Sequence, residues 1–373
     1  MKLSPSFSSY LDFLRFGAAF TVLVGHMVQD GFALAWLPFA HLSHEAVIVF
    51  FLMSGYIVYA STVSRHTSAL DYVVARTSRI YSVAVPAVVF CVLLSVVLAV
   101  WFPSAAAAEQ SWRPFSLLDI GASLLFLNES WGAPTDLTLN GPYWSLCYEV
   151  WYYVFFGLFF FVRSGWRWPL LVVAAAVAGP AIVVLFPIWV FGAWLASGGG
   201  KSLAVGPLTA LAVWLTAPLL IWLIDFTGFD LAVVDFLHSR VPGFWQLRAS
   251  QALFTDYLTA LALGAHLAVY PSLPVSIRSF FERSRAVWVP LAGFSFTLYL
   301  FHRPLTAIAG NHVPPELQTV PVGLVVLALV LATCWLMSFV TERRLPGWRA
   351  GFRRLLQAAG MGSAPSAERG TAR

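Results

Sequence analysis

The chain has 373 residues, of which 59% are hydrophobic and only 10% charged, with a mean hydropathy of +0.78. A water-soluble chain carries about 25% charged residues, so this composition excludes a soluble globular protein of this size and makes lipid the solvent for most of the surface. The net charge of +5 does not indicate nucleic acid, because its distribution follows membrane topology, as shown next.

A spanning helix needs roughly 20 mostly apolar residues. In chain order the sequence predicts ten spans, at 10–28, 46–63, 80–102, 142–162, 168–187, 188–199, 203–224, 251–271, 287–309 and 319–341, with the sixth short and nine spans as the alternative. The expected fold is therefore all-α, a polytopic transmembrane bundle. With both termini placed in the cytoplasm, Arg15 and Arg303 fall within spans. Outside segments then hold only Arg113, Arg240 and Arg248, and the other seventeen Lys and Arg lie inside. That asymmetry is what the positive-inside rule demands. The outside segments 103–141 and 225–250 carry Glu109, Asp119, Glu129, Asp136, Asp225, Asp230 and Asp235, and read as acidic loops too small for a core of their own. The domain expectation is a transmembrane unit over 1–345 and a basic, then disordered, cytoplasmic tail over 346–373. No cleavable signal peptide and no internal repeat is evident. Cys91, Cys147 and Cys334 sit in apolar runs without paired spacing, and the eight histidines lack metal-ligand spacing, so no disulfide framework or metal site is expected.

Charge inside a span is costly and marks a candidate site. In the first span, Arg15 and His26 are eleven residues apart, which returns a helix to within about 20° and separates them by about 16 Å along the axis. Asp12 lies three residues before Arg15. The plain alternative is that Arg15 snorkels or pairs with Asp12 while His26 satisfies a local hydrogen bond. Arg76 and Arg79 share a face at the entry to the third span. They read first as an ordinary positive-inside flank, and otherwise as a phosphate clamp. Glu149 follows GPYWSLCY inside an aromatic run and must either pair with a cation or serve chemistry. His302 and Arg303 precede Pro304 late in the ninth span, where an interface anchor and a site role are equally good readings.

Five segments in this order resemble the acyltransferase-3 family of bacterial membrane acyltransferases. Arg15 to His26 matches the arginine, ten residues, histidine pattern of its first helix. VFFLMSGYIV over 49–58, containing Ser54, resembles its Phe-Phe-x-x-Ser-Gly segment. Arg76-Thr77-Ser78-Arg79 matches its Arg-x-x-Arg motif. WSLCYE over 144–149, with Trp144, Ser145 and Glu149, is similar to its Trp-Ser-Leu-x-x-Glu element, and YLFH over 299–302 resembles its Tyr-Leu-x-His segment. The resemblance covers about residues 8–345. Phe13 stands where the family often has Gly before the first-helix arginine, and the chain looks like a stand-alone form.

The resemblance implies transfer of a short acyl group, commonly acetyl, from acyl-CoA to a hydroxyl of a glycan, a lipid-linked sugar or another surface molecule, in a bacterial inner membrane. His26, Arg15 and Glu149 would be catalytic, and Arg76, Arg79 and Ser54 would belong to the donor site. Asp12, Trp144, Ser145 and His302 are further candidates. Acyl-CoA is expected as a substrate, with no permanently bound cofactor, metal or nucleic acid. A histidine near neutrality suits general-base activation of a hydroxyl, with an acyl-histidine intermediate as the second choice. The rival readings are a multi-span transporter, which would need no acyl-CoA, and a lipid-linked sugar transferase using the outer-loop acids Asp225, Asp230 and Asp235.

Overall fold

The computed structural model describes residues 3–65, 68–103, 112, 114–132, 135–199 and 205–359. Glu109, Arg113 and the 360–373 part of the expected tail lie outside the described residues. Among those described, every regular element is helical. In lipid each backbone polar group must be satisfied internally, and a helix does this within one segment.

Among the described residues, eight helical stretches are long and apolar enough to cross a membrane. This is a multi-pass membrane architecture, with two of the ten expected spans falling short of that standard. The first helix, α1 (Pro5–Gln29), is started by Ser4, whose hydroxyl accepts from the Phe7 N–H, with Pro5 in its first turn. After α2 (Ser43–Arg65), α3 (Ala69–Trp101) runs for 33 residues, about 50 Å at 1.5 Å per residue. It therefore begins well before the apolar run at 80–102. Its early turns carry Arg76 and Arg79 on the same rigid rod as the membrane-crossing part. A short α4 (Leu117–Leu124) opens with a capping box between Ser116 and Asp119, and α5 (Trp144–Phe161) follows.

The fifth and sixth spans divide differently from the expectation. The break falls at Gly179, between α6 (Arg167–Ala178) and α7 (Pro180–Trp194), and not at 187/188. Gly179 has φ +88°, and a Cβ there would lie 2.8 Å from the Trp131 backbone nitrogen. Only glycine fits that turn. The short member of the pair is thus α6, whose 12 residues span about 18 Å. Pro187, where the sequence pointed to a boundary, is absorbed within α7.

Helices α8 (Pro207–Phe226), α9 (Phe229–Arg240), α10 (Leu253–Ala268), α11 (Val275–Arg283) and α12 (Arg285–Ala292) lead to α13 (Ser295–His312), which holds His302. The predicted span 287–309 is therefore two helices, interrupted around Gly293. Helix α14 (Val320–Met337) and the terminal α15 (Leu345–Ala358) complete the chain. Helix α15 packs along α3, where Arg353 reaches Asp71 at 2.6 Å and Phe352 contacts Tyr81.

The tightest helix pair is α2 with α7. A Cβ on Gly55 would sit 1.9 Å from the Trp189 carbonyl oxygen, and one on Gly192 would sit 1.9 Å from that of Leu52. Small residues at both crossing points let the backbones touch, the common solution where lipid offers no hydrophobic drive for association. The contact fixes Ser54 against α7, and the Trp189 indole N–H donates to its hydroxyl at 3.2 Å.

Candidate active site

Residues of six helices line a cavity of about 230 Å3. Into it project Arg15 from α1, Ser54 from α2, Arg76 and Arg79 from α3, Ser145, Glu149 and Tyr153 from α5, and Tyr299 from α13. Leu345 and Arg349 of the terminal segment also line it. Six of the ten residues singled out in the sequence thus share one wall.

At its centre, Glu149 Oε1 accepts hydrogen bonds from the Ser54 hydroxyl at 2.8 Å and from the Tyr153 hydroxyl. Ser54 also approaches the Tyr153 oxygen at 3.3 Å. Glu149 and Tyr153 are four apart on α5 and so occupy one face. The carboxylate faces guanidiniums: Arg15 and Arg79 both lie within electrostatic reach of Glu149 and of Glu342. Glu342 is itself held by the Thr297 N–H at 3.0 Å and the Thr297 hydroxyl at 2.9 Å. Two arginines and two anchored carboxylates thus share one buried region, where the opposite charges offset part of the cost of burying them.

Arg76 is held differently. Its guanidinium lies 5.9 Å from the Tyr72 ring centre and 5.6 Å from that of Tyr153, while its buried Nε has no hydrogen-bond partner. Arg79 similarly lies 5.8 Å from the Phe296 ring. For Arg76, stacking orients the guanidinium while leaving its Nε–H available for an anion.

Ser145 and Tyr299, whose hydroxyls are 2.6 Å apart, bound the cavity on the side where Tyr299 meets His302. Beyond that boundary the rings continue: Tyr299 to His302 at 6.0 Å and His302 to His26 at 5.2 Å. His26 and His302 are therefore neighbours just past the cavity, not part of its lining. His26 Nδ1–H donates to Gln29 Oε1 at 2.8 Å. An amide oxygen can only accept, so the lone pair of His26 is on Nε2. His302 is fully buried; its Nδ1–H donates to the Leu298 carbonyl at 3.0 Å, and its Nε2 has no partner. Beside them Arg303 Nη1 pairs with both oxygens of Asp30, at 2.6 and 2.7 Å. This part-buried pair ties α13 to the end of α1.

Asp12 and Trp144 do not line the cavity. Asp12 lies near Arg15 and Arg285, and Trp144 packs on His44 and Phe51. Sequence reasoning missed Tyr153, Tyr299, Glu342 and Arg349. Tyr153 was findable from its four-residue spacing to Glu149. Arg349 was not, since only the packing of α15 brings it in.

The fold and site define a membrane-embedded, multi-helix protein built round a buried arginine–carboxylate cavity. The sequence profile of the acyltransferase-3 family, described as an acyltransferase domain, matches residues 8–339, and the chain belongs to that family. An O-acetyl transferase of Shigella phage Sf6 is 30% identical over 164 residues, covering 40% of this chain and 45% of the phage protein. The chain thus matches less than half of that relative's length. No solved structure matches.

Proposed function

We propose that this acyltransferase moves a short acyl group, acetyl in the simplest case, from acyl-CoA to a hydroxyl of a glycan or other surface molecule. The single observation that carries the reading is the convergence of Arg15, Arg76, Arg79 and Arg349 on one cavity that ends two aromatic rings from His26.

A volume of about 230 Å3 is below the roughly 300–1,000 Å3 of sites that engulf a drug-sized ligand. It suits the reactive arm of the donor and leaves the nucleotide at the mouth. There the stacked guanidiniums of Arg76 and Arg79, with Arg349, supply donors for phosphate oxygens. Arg15, within electrostatic reach of Glu149 and Glu342, stabilises negative charge inside the cavity. Glu149 holds the arginines and hydroxyls in register.

The thioester carbon meets the acceptor at the Tyr299 boundary. His26 Nε2 removes the acceptor hydroxyl proton as the oxygen attacks. The new C–O bond forms, the C–S bond breaks, and CoA leaves as the thiolate. The Tyr299 hydroxyl must leave Ser145 for the acyl group to pass. On this arrangement the donor is held from the cytoplasmic side and the acceptor is met nearer the outer face of a bacterial inner membrane. The positive-inside asymmetry supports that orientation.

The test is mass spectrometry of surface glycans from cells expressing the wild-type chain or His26→Ala, with membrane levels matched. Loss of an acyl mass in the variant alone is expected. Full acylation by a folded His26→Ala protein overturns the reading.

A further inference from the structure

We infer that Glu45, Asp225 and Asp230 form a binding site for an oxygen-preferring divalent cation at the end of the bundle where α2 begins and α8 turns into α9. One carboxylate oxygen from each lies within 4.8 Å of the others. A cation of calcium size, with oxygens at about 2.3–2.6 Å, bridges opposite ligands about 4.6–5.2 Å apart, so the three are close enough to share one ion.

The cluster is built into the fold rather than strewn on a surface. Asp225 ends α8 and Asp230 lies in the first turn of α9. Between them Gly228 adopts φ +65°, and its N–H donates to the Asp225 carbonyl at 2.8 Å. That left-handed turn folds the two acids back towards each other. Glu45 comes from the first turn of α2, 180 residues away in the chain.

The independent observation is unsatisfied polarity. Glu45 is 8% exposed, and among the described residues its Oε2 has no hydrogen-bond partner and the buried Oδ1 of Asp230 has none either. A buried, unpaired carboxylate oxygen carries a large desolvation cost, which a cation shared by the three clustered acids would offset. Among the described residues no Lys or Arg forms an ion pair with the three. The nearby cationic candidates are His41, beside Asp225, and His44, beside Glu45. His44 is already engaged, with Nε2 2.8 Å from Asp256 Oδ1. With carboxylate oxygens as its donors, the set favours calcium- or magnesium-type ions over softer metals. None of the three acids lines the acyl-transfer cavity, so the site stands whether or not the donor assignment holds. By joining α2 to the α8–α9 turn, the cation braces the helix that presents Ser54.

The experiment uses the purified full-length protein in detergent, stripped with chelator, with calcium as the probe. Two readouts are followed on adding calcium: the thermal unfolding midpoint, and displacement of terbium luminescence excited through tryptophan. Wild type is expected to gain in midpoint and to release terbium. Glu45→Gln and Asp230→Asn are expected to need about tenfold more calcium or more for the same response, as even supporting residues of metal sites cost that much. If Glu45→Gln does not fold, the half-buried Asp230→Asn carries the comparison. An equal response in wild type and variants overturns the assignment. So does no response of wild type at about 10 mM calcium, beyond the weak end of protein calcium sites near about 1 mM.

Discussion

Ser54 on α2 donates its hydroxyl hydrogen to Glu149 Oε1 on α5 across 2.8 Å, and the residues are far apart in sequence but central to the same cavity. Glu149 is the acceptor for two hydroxyls and the counter-charge for Arg15 and Arg79. Glu149→Gln keeps the shape and removes the charge, so it is expected to lower acyl transfer strongly. Ser54→Ala removes one neutral donor to a charged acceptor, a loss of about 1.5–3 kcal/mol at most. The check is the transfer rate of each purified variant beside its unfolding temperature. Equal, small losses in both would mean the carboxylate charge is idle.

His26→Ala is expected to cut the rate by about 10²–10⁴-fold, the range for loss of a positioned general base, with donor binding unchanged. Because the His26 ring contacts His302, His302→Gln is expected to lower the rate less than His26→Ala while the protein still folds. Rate measurements at saturating donor decide this. A drop in donor affinity with an unchanged maximal rate would assign His26 to binding instead.

Arg76→Ala and Arg79→Ala together are expected to abolish CoA binding measured by calorimetry. The lysine double variant is expected to recover it only in part, since an ammonium keeps the charge but lacks the planar fork that stacks on Tyr72, Tyr153 and Phe296. Full recovery with lysine would reduce the clamp to simple charge.

Gly55→Leu forces side-chain atoms into the Trp189 carbonyl and is expected to destabilise the bundle by about 2 kcal/mol or more, as overpacking does. Gly17→Ala on α1 meets nothing within 4 Å and is the matched control, expected to be neutral. Thermal unfolding in detergent measures both.

Glu129, in the loop before α5, is 2% exposed and lies 3.2 Å from Arg248. Burial pushes its carboxyl up to about 7, against the downward pull of Arg248 and with a further upward push from Asp136. A carboxyl whose folded pKa is raised favours the protonated state, so its contribution to stability is full below about pH 4.5 and is lost as pH rises through about 7. The size is about 3 kcal/mol at 1.36 kcal/mol per pH unit. Unfolding midpoints between pH 5 and 8 are expected to fall in wild type and to flatten in Glu129→Gln. Parallel curves would show that other groups govern the slope.

Local patterning was enough to read an all-α membrane fold, because twenty-residue apolar runs and the charge of short loops act on each segment alone. It likewise exposed Arg15, Arg76, Arg79 and Glu149, since an ion in an apolar run is conspicuous without any structure. It misplaced the α6–α7 break at 187/188, because what requires glycine at 179 is a contact with Trp131, distant in sequence. It also read Asp225 and Asp230 as ordinary loop acids. Only the tertiary structure could set Glu45 against them, bring Arg349 of α15 to the cavity, and leave His26 one ring beyond His302. Each of these relations joins helices distant in sequence. Such contacts depend on how helices cross, where small residues such as Gly55 and Gly192 permit close approach, and that information belongs to pairs of segments rather than to any one of them.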